Sequence, residues 1–181
     1  MKKHFKAIAV MVSIMLVCGG LLAILSDLLY VSDTERIQRA IDKIYDEPVT
    51  LQKTLDVSDV DTTSFSEYGE IKSCYKLSND DYLVLSTGKK GYSNGTVTLY
   101  VSIALNDGVA FVKNTVQDSY TGQTLMSKLS SLYQEFKDKT SNQNKQDVTE
   151  IVTGATYSSR AASNAVYCAL QFVKIVEGGS L

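Results

Sequence analysis

The chain predicts an α+β fold: a mostly antiparallel sheet flanked by helices, preceded by one N-terminal transmembrane helix. Three observations lead there. Between Glu70 and Val116, short apolar and aromatic runs alternate with turns rich in Asn, Asp and Gly, as in hairpin-connected strands. Apolar residues recur at helical spacing before and after that block, at Ile37, Ala40, Ile41 and Ile44 and again from Ala162 to Val176. Ala7 to Leu25 is apolar apart from Ser13 and small residues, close to the ~20 residues that span a bilayer core.

Taken in order, Met1 to Lys6 is a basic flank. Its lysines favour the cytoplasmic side and place the remainder outside. Asp27 interrupts the apolar run, and Tyr30 is positioned as an interfacial anchor. A cleaved signal peptide and a lipoprotein modified at Cys18 are the competing readings. No small-x-small site follows the run, and Val17 precedes Cys18 where a small residue belongs. Ser32 to Tyr45 reads as a helix, capped by Ser32 or Asp33 with Glu35 as the capping-box acid, and ended by Glu47-Pro48. Val49 to Ser66 fits weak edge strands or a loop. The expected division is therefore an anchor over residues 1–31, a connector over 32–64 and an extracytoplasmic domain over 65–181.

Within that domain, Glu70–Leu77 and Asp81–Thr87 read as strands around the Ser78-Asn79-Asp80 turn. A glycine-punctuated loop follows, from Gly88 to Gly95. It lacks the spacing of a P-loop or a Rossmann turn, and a hairpin connection is its simpler reading. Val97, Leu99, Val101 and Ile103 alternate as a half-buried strand. Asn106-Asp107-Gly108 turns the chain into a strand over Val109–Val116. Leu125 to Phe136 has the pattern of an amphipathic helix, Lys137 to Gln146 that of a polar, mobile loop, and Val148 to Val152 that of a short strand. A last helix runs to about Val176 and closes at Gly178-Gly179.

Composition removes several chemistries. The chain has 181 residues, one His and three Cys. His4 lies among the N-terminal lysines, so a Ser-His-Asp or Cys-His catalytic site and a His-based metal site have no material. Cys18, Cys74 and Cys168 form no C-x-x-C, which argues against zinc and iron–sulfur sites. Cys74 and Cys168 are able to pair in an external domain; isolated buried thiols are the simpler state. The formal charge is −2, no Lys/Arg run follows the N-terminus, and no nucleic-acid partner is expected.

The informative stretch is Glu150-Ile151-Val152-Thr153-Gly154-Ala155-Thr156-Tyr157-Ser158-Ser159. Thr153, Gly154 and Ala155 are small enough for the backbone to come close to a ligand. Thr156, Ser158 and Ser159 place hydroxyls at a helix start, whose free N–H groups and positive dipole end favour a phosphate. The same residues also make an ordinary capped turn.

The acidic-x-x-Thr-Gly-Ala-Thr pattern, followed by hydroxyls and a helix, resembles the flavinylation motif of the FMN-binding domain family. That family includes the G subunit of the Rnf electron-transport complex and the C subunit of the sodium-translocating NADH:quinone reductase. The resemblance implies FMN joined to Thr156 by a phosphoester bond, with Glu150 in place of the family's usual Asp. It implies recognition of Glu150, Gly154, Ala155 and Thr156 by a flavin transferase. It also implies a single N-terminal membrane helix and the other membrane subunits of an Rnf-like complex as partners. By the family's layout, Tyr92, Tyr120 and Gly122 fall near the flavin, with Thr153, Ser158 and Ser159 around its phosphate. The segment Gln117–Leu125 keeps a Thr and a Gly of the family's Glu-Thr-Pro-Gly-Leu-Gly and lacks its Glu and Pro. A membrane-anchored electron carrier with covalent FMN is the leading expectation. A stand-alone extracellular flavin protein and an anchored binding module without flavin are the alternatives.

Overall fold

The computed structural model describes residues 2–29, 32–122 and 126–178, in two compact units, Met1–Ile37 and Gln38–Leu181. Tyr30, Leu125 and Gly179, to which the sequence assigned an anchor, a helix start and a helix stop, lie outside the described residues. The first unit is built on α1 (Lys2–Leu29), whose side chains from Val10 to Leu25 are exposed and mostly apolar. Among the described residues no helix is long and apolar enough to cross a membrane. The next helix, α2 (Asp33–Ile44), begins where its cap predicts, with Ser32 Oγ accepting the Glu35 N–H at 3.2 Å.

The second unit holds a five-stranded sheet in sequence order: β1 (Leu51–Leu55), β2 (Gly69–Leu77), β3 (Tyr82–Gly88), β4 (Val97–Asn106) and β5 (Val109–Tyr120). Every neighbour is antiparallel. The β4–β5 turn is Asp107-Gly108, both at positive φ (50° and 77°), the geometry that suits a two-residue hairpin. A helix over the second half of the motif, α5 (Thr156–Val176), lies across β3 and β4. Its Ala161, Ala162, Ala165 and Ala169 are buried, and their small size lets helix and sheet approach closely. Ser86 Oγ donates to the Ala165 carbonyl at 2.8 Å, which satisfies a buried hydroxyl at that contact.

Strand β4 departs from the half-buried strand that its alternation predicts. All residues from Val97 to Ala104 are buried. Val97, Leu99, Val101 and Ile103 join the core with α5. The opposite face is closed by polar pairing: Thr87 and Thr98 hydroxyls meet at 2.8 Å, and Ser102 Oγ lies 2.5 Å from Tyr45 Oη. Tyr45 in turn donates to Asp81 Oδ2 at 2.7 Å, a carboxylate that also takes Asn79 Nδ2 at 2.8 Å and Lys113 Nζ at 2.9 Å. Alternation identifies a polar face; it does not say whether water or another side chain satisfies it.

Three further expectations are corrected between β5 and α5. The helix expected over Leu125–Phe136 is broken into a 3₁₀ turn at Met126–Lys128 and one short helix, α3 (Leu132–Glu135). Ser127, Ser130 and Ser131 interrupt it, hydroxyl residues that compete for backbone groups. The stretch read as a mobile loop is packed. Asp138 N–H and Lys139 C=O bond to Val112, Ser141 N–H bonds to Ala110 at 2.8 Å, and Thr140 bridges to Phe111, so this segment lines the outer edge of β5. The strand expected at Val148–Val152 is instead the end of a short helix, α4 (Lys145–Val148), followed by chain without regular structure. Asn144 and Asp147 form a capping box there.

Cys74 and Cys168 are free and buried, and burial pushes both thiols up to about 12. We expect iodoacetamide at about pH 8.5, where an exposed thiol is half ionised, to label neither cysteine in the native domain and both after unfolding. Peptide mass mapping reads this out directly.

Candidate functional site

The turn before α5 is held from inside the helix. Ser159 Oγ donates to the Ala155 carbonyl at 2.9 Å and accepts the Val152 N–H at 3.0 Å. Ala155 N–H bonds to the Val152 carbonyl at 3.0 Å. Gly154 sits at the crest with φ +78°, a conformation that costs other residues steric strain. Ser163 Oγ reaches back to accept the Glu150 N–H at 3.0 Å and to donate to its carbonyl at 3.2 Å. The Glu150 carboxylate is not free at the turn: Oε1 pairs with Lys139 Nζ at 2.6 Å. Glu150 thus fixes the approach to the turn against the segment that edges β5.

This frame leaves Thr153, Gly154, Thr156 and Tyr157 exposed while Ala155, Ser158 and Ser159 are buried. Ser159 was expected to offer its hydroxyl or its N–H to a phosphate. Both are engaged within the protein, the N–H to Ala155 O at 2.8 Å, so this residue shapes the turn. Ser158 is 2% exposed, which turns its side chain inward as well. We expect Ser159→Ala to cost about 1–2 kcal/mol, since it leaves the Val152 N–H without its partner; a shift in the urea midpoint measures this.

The helix start carries no side-chain cap, Ala155 being its N-cap residue. The first N–H groups of a helix have no intrahelical acceptor, and they carry the positive end of its dipole. Two cations adjoin this end. Lys128 Nζ lies 2.9 Å from the point that a Gly154 Cβ would occupy. Arg160 stacks its guanidinium 5.5 Å from the Tyr157 ring centroid. Lys128 is the residue that sequence reading missed. It lies in the segment read as an amphipathic helix, and only the broken backbone there brings it to the turn.

Aromatic rings border the same place. Tyr92, on a single 3₁₀ turn within the glycine loop, meets Tyr157 edge-on with centroids 5.9 Å apart. Both rings are about half exposed, at 47% and 51%. Tyr120 ends β5 opposite Val97 and is equally open. Beyond it, Thr121 N–H bonds to the Thr96 carbonyl at 3.0 Å, and Gly122 packs against Gly95 so closely that a Cβ would sit 3.0 Å from the Gly95 Cα. Tyr92 is thereby brought to the Thr156 turn. Tyr120 and Gly122 are brought to the glycine loop, and reach the turn through it.

An exposed hydroxyl on an uncapped helix start, two cations and half-open tyrosine rings form a donor set that suits a phosphate attached to a flat aromatic group. Among the described residues there is no cluster of His, Cys, Asp and Glu able to hold a metal ion. No curated protein and no solved structure matches the chain. A family model does, and it begins at the glycine loop and ends within α5, so that it encloses Tyr92, Tyr120, Gly122, Lys128 and the whole Thr156 turn. Over residues 91–171 the chain matches the FMN-binding domain, and this stretch is similar to that family.

Proposed function

We propose that the chain is a membrane-anchored electron carrier that holds FMN through a phosphoester bond to Thr156. The single observation that carries this reading is the exposed Thr156 hydroxyl at the uncapped start of α5, inside the matched domain. When bound, FMN supplies one- and two-electron redox chemistry that no side chain here provides. The protein's part is attachment, orientation and charge. Bond formation joins Thr156 Oγ to the flavin phosphorus, releases the hydroxyl proton and breaks the bond from that phosphorus to its leaving group. A separate flavin transferase performs this step. The start of α5, with Lys128 beside Gly154 and Arg160 beside Tyr157, would hold the remaining negative charge of the diester. Tyr92 and Tyr157 offer ring edges and faces to the isoalloxazine.

A covalent link also answers a physical difficulty. The Thr156 turn is open to solvent, so a cofactor held by contacts alone would be lost on dilution outside a cell. The anchor reading is supported by the sequence, in the apolar run from Ala7 to Leu25 behind its lysine flank. In this arrangement the domain lies outside the cytoplasm and exchanges electrons with other membrane subunits of an Rnf-like complex. The test is intact mass of the chain made in a host that has a flavin transferase. We expect a gain of one FMN less water, confined to the peptide that carries Thr156. Native protein that stays colourless and unmodified in that host would sink the proposal.

A further inference from the structure

Although the sequence has no basic run after its N-terminus, the fold assembles a cationic surface from three separate segments. Lys90 comes from the glycine loop, Lys145 from α4 and Arg160 from the first turns of α5. Lys90 Nζ lies 4.9 Å from the Tyr68 ring centroid. Lys145 Nζ lies 5.6 Å from the same ring and 5.7 Å from that of Tyr167. The two rings meet edge-on at 5.7 Å. One carboxylate, Glu67, pairs with Lys90, and that pair is solvent-exposed and weak. Lys145 Nζ bonds to Thr149 Oγ1 at 2.7 Å, and among the described residues neither it nor Arg160 has an ion-pair partner. Burial above all pulls the Lys145 ammonium below the usual lysine range; Cys168 opposes it, and the neighbouring Arg160 and Lys90 charges add smaller pulls in the same direction as burial.

This cluster runs against the balance of the chain, whose formal charge is −2. It is also continuous with the flavin turn. Lys90 is two residues from Tyr92, which touches Tyr157, and Arg160 covers the Tyr157 ring. Tyrosine and arginine on rigid elements are what energetic centres of protein interfaces are made of, and matched charge around them sets partner choice and encounter rate.

We propose that Lys90, Lys145 and Arg160, with Tyr68 and Tyr167, form the docking surface for an acidic face of a protein redox partner, placed beside the Thr156 turn. The purpose assigned to the surface rests on the flavin-carrier reading. A protein fits better than an anionic lipid surface. Lys145 is folded back over two rings and bonded to Thr149, whereas lipid-binding lysines extend free heads into the headgroup layer.

The test uses the full chain in neutral nanodiscs, with the acidic soluble domain of cytochrome b5 as probe and basic cytochrome c as its counterpart. Affinities are measured by titration on preparations with and without FMN. We expect binding of cytochrome b5 that weakens with salt and exceeds that of cytochrome c. Lys90→Glu with Lys145→Gln should lower it about tenfold, while Lys53→Glu on β1 should not. Lys145→Gln alone, with an unchanged melting temperature, guards against loss of fold. Unchanged affinity in the double variant overturns the proposal, as does equal weakening by Lys53→Glu. Binding to phosphatidylserine vesicles without binding to cytochrome b5 overturns it too. Flavin content is read separately by absorbance. Flavin-loaded chain that fails to bind sinks the docking surface alone; chain that binds but stays colourless when made with a flavin transferase sinks the carrier reading and leaves the surface standing.

Discussion

Thr156→Ala is expected to remove the flavin-fluorescent band that the chain gives after denaturing electrophoresis, completely and not by degrees. The reason is chemical: an ester needs a hydroxyl, and Ala offers none at that position. The fold should be indifferent. Thr156 is exposed, its side chain makes no cap bond for α5, and Ala is the better helix former. Thermal unfolding should therefore stay within about 0.5 kcal/mol of the parent, as for an ordinary surface substitution. Thr156→Ser keeps the hydroxyl and should keep the band. A fluorescent band that persists in the Ala variant would move the attachment elsewhere, with Thr153 the next exposed hydroxyl in the turn.

The second large effect is structural. Gly88→Ala should unfold the domain or cost more than about 3 kcal/mol, because its Cβ has nowhere to go. That atom would lie 1.9 Å from the Ala161 carbonyl oxygen and 2.5 Å from the Ala165 N–H nitrogen, both backbone atoms of α5. A side chain can rotate away from such a clash; helix backbone cannot. Relief requires α5 to lift from β3, which opens the buried Ala161, Ala162 and Ala165 contact and moves the Thr156 turn at the helix start. The variant should lose flavinylation together with stability, measured by chemical denaturation and by the same fluorescent gel. Thr156→Ala separates these two outcomes and Gly88→Ala joins them.

Much of this arrangement was legible in the residues. The four later strands fall within one to four residues of their expected bounds, because hairpin turns such as Asp107-Gly108 punctuate them. The start of α5 and the positive φ of Gly154 follow from small and hydroxyl residues ahead of a helical period. What failed were readings that depend on a distant partner. Lys137–Gln146 is polar, and polarity alone suggests a free loop. Its backbone nevertheless bonds to Ala110 and Val112, a choice made by the edge of β5. The same reason hid Lys128, and it hid the inward turn of Ser159, whose hydroxyl serves Val152 and Ala155. Lys90, Lys145 and Arg160 are far apart in the chain, so no window along it reveals their meeting.

The pairing of Asp138–Ser141 along β5 has a consequence for self-association. A sheet recruits foreign strands through unpaired rims, and here the first part of one rim, Ala110–Val112, is already paired. At the opposite rim, Leu51–Leu55, an irregularity in register after Leu51 and the exposed Lys53 make a poor template. Both devices lower the tendency of one copy to zip onto another.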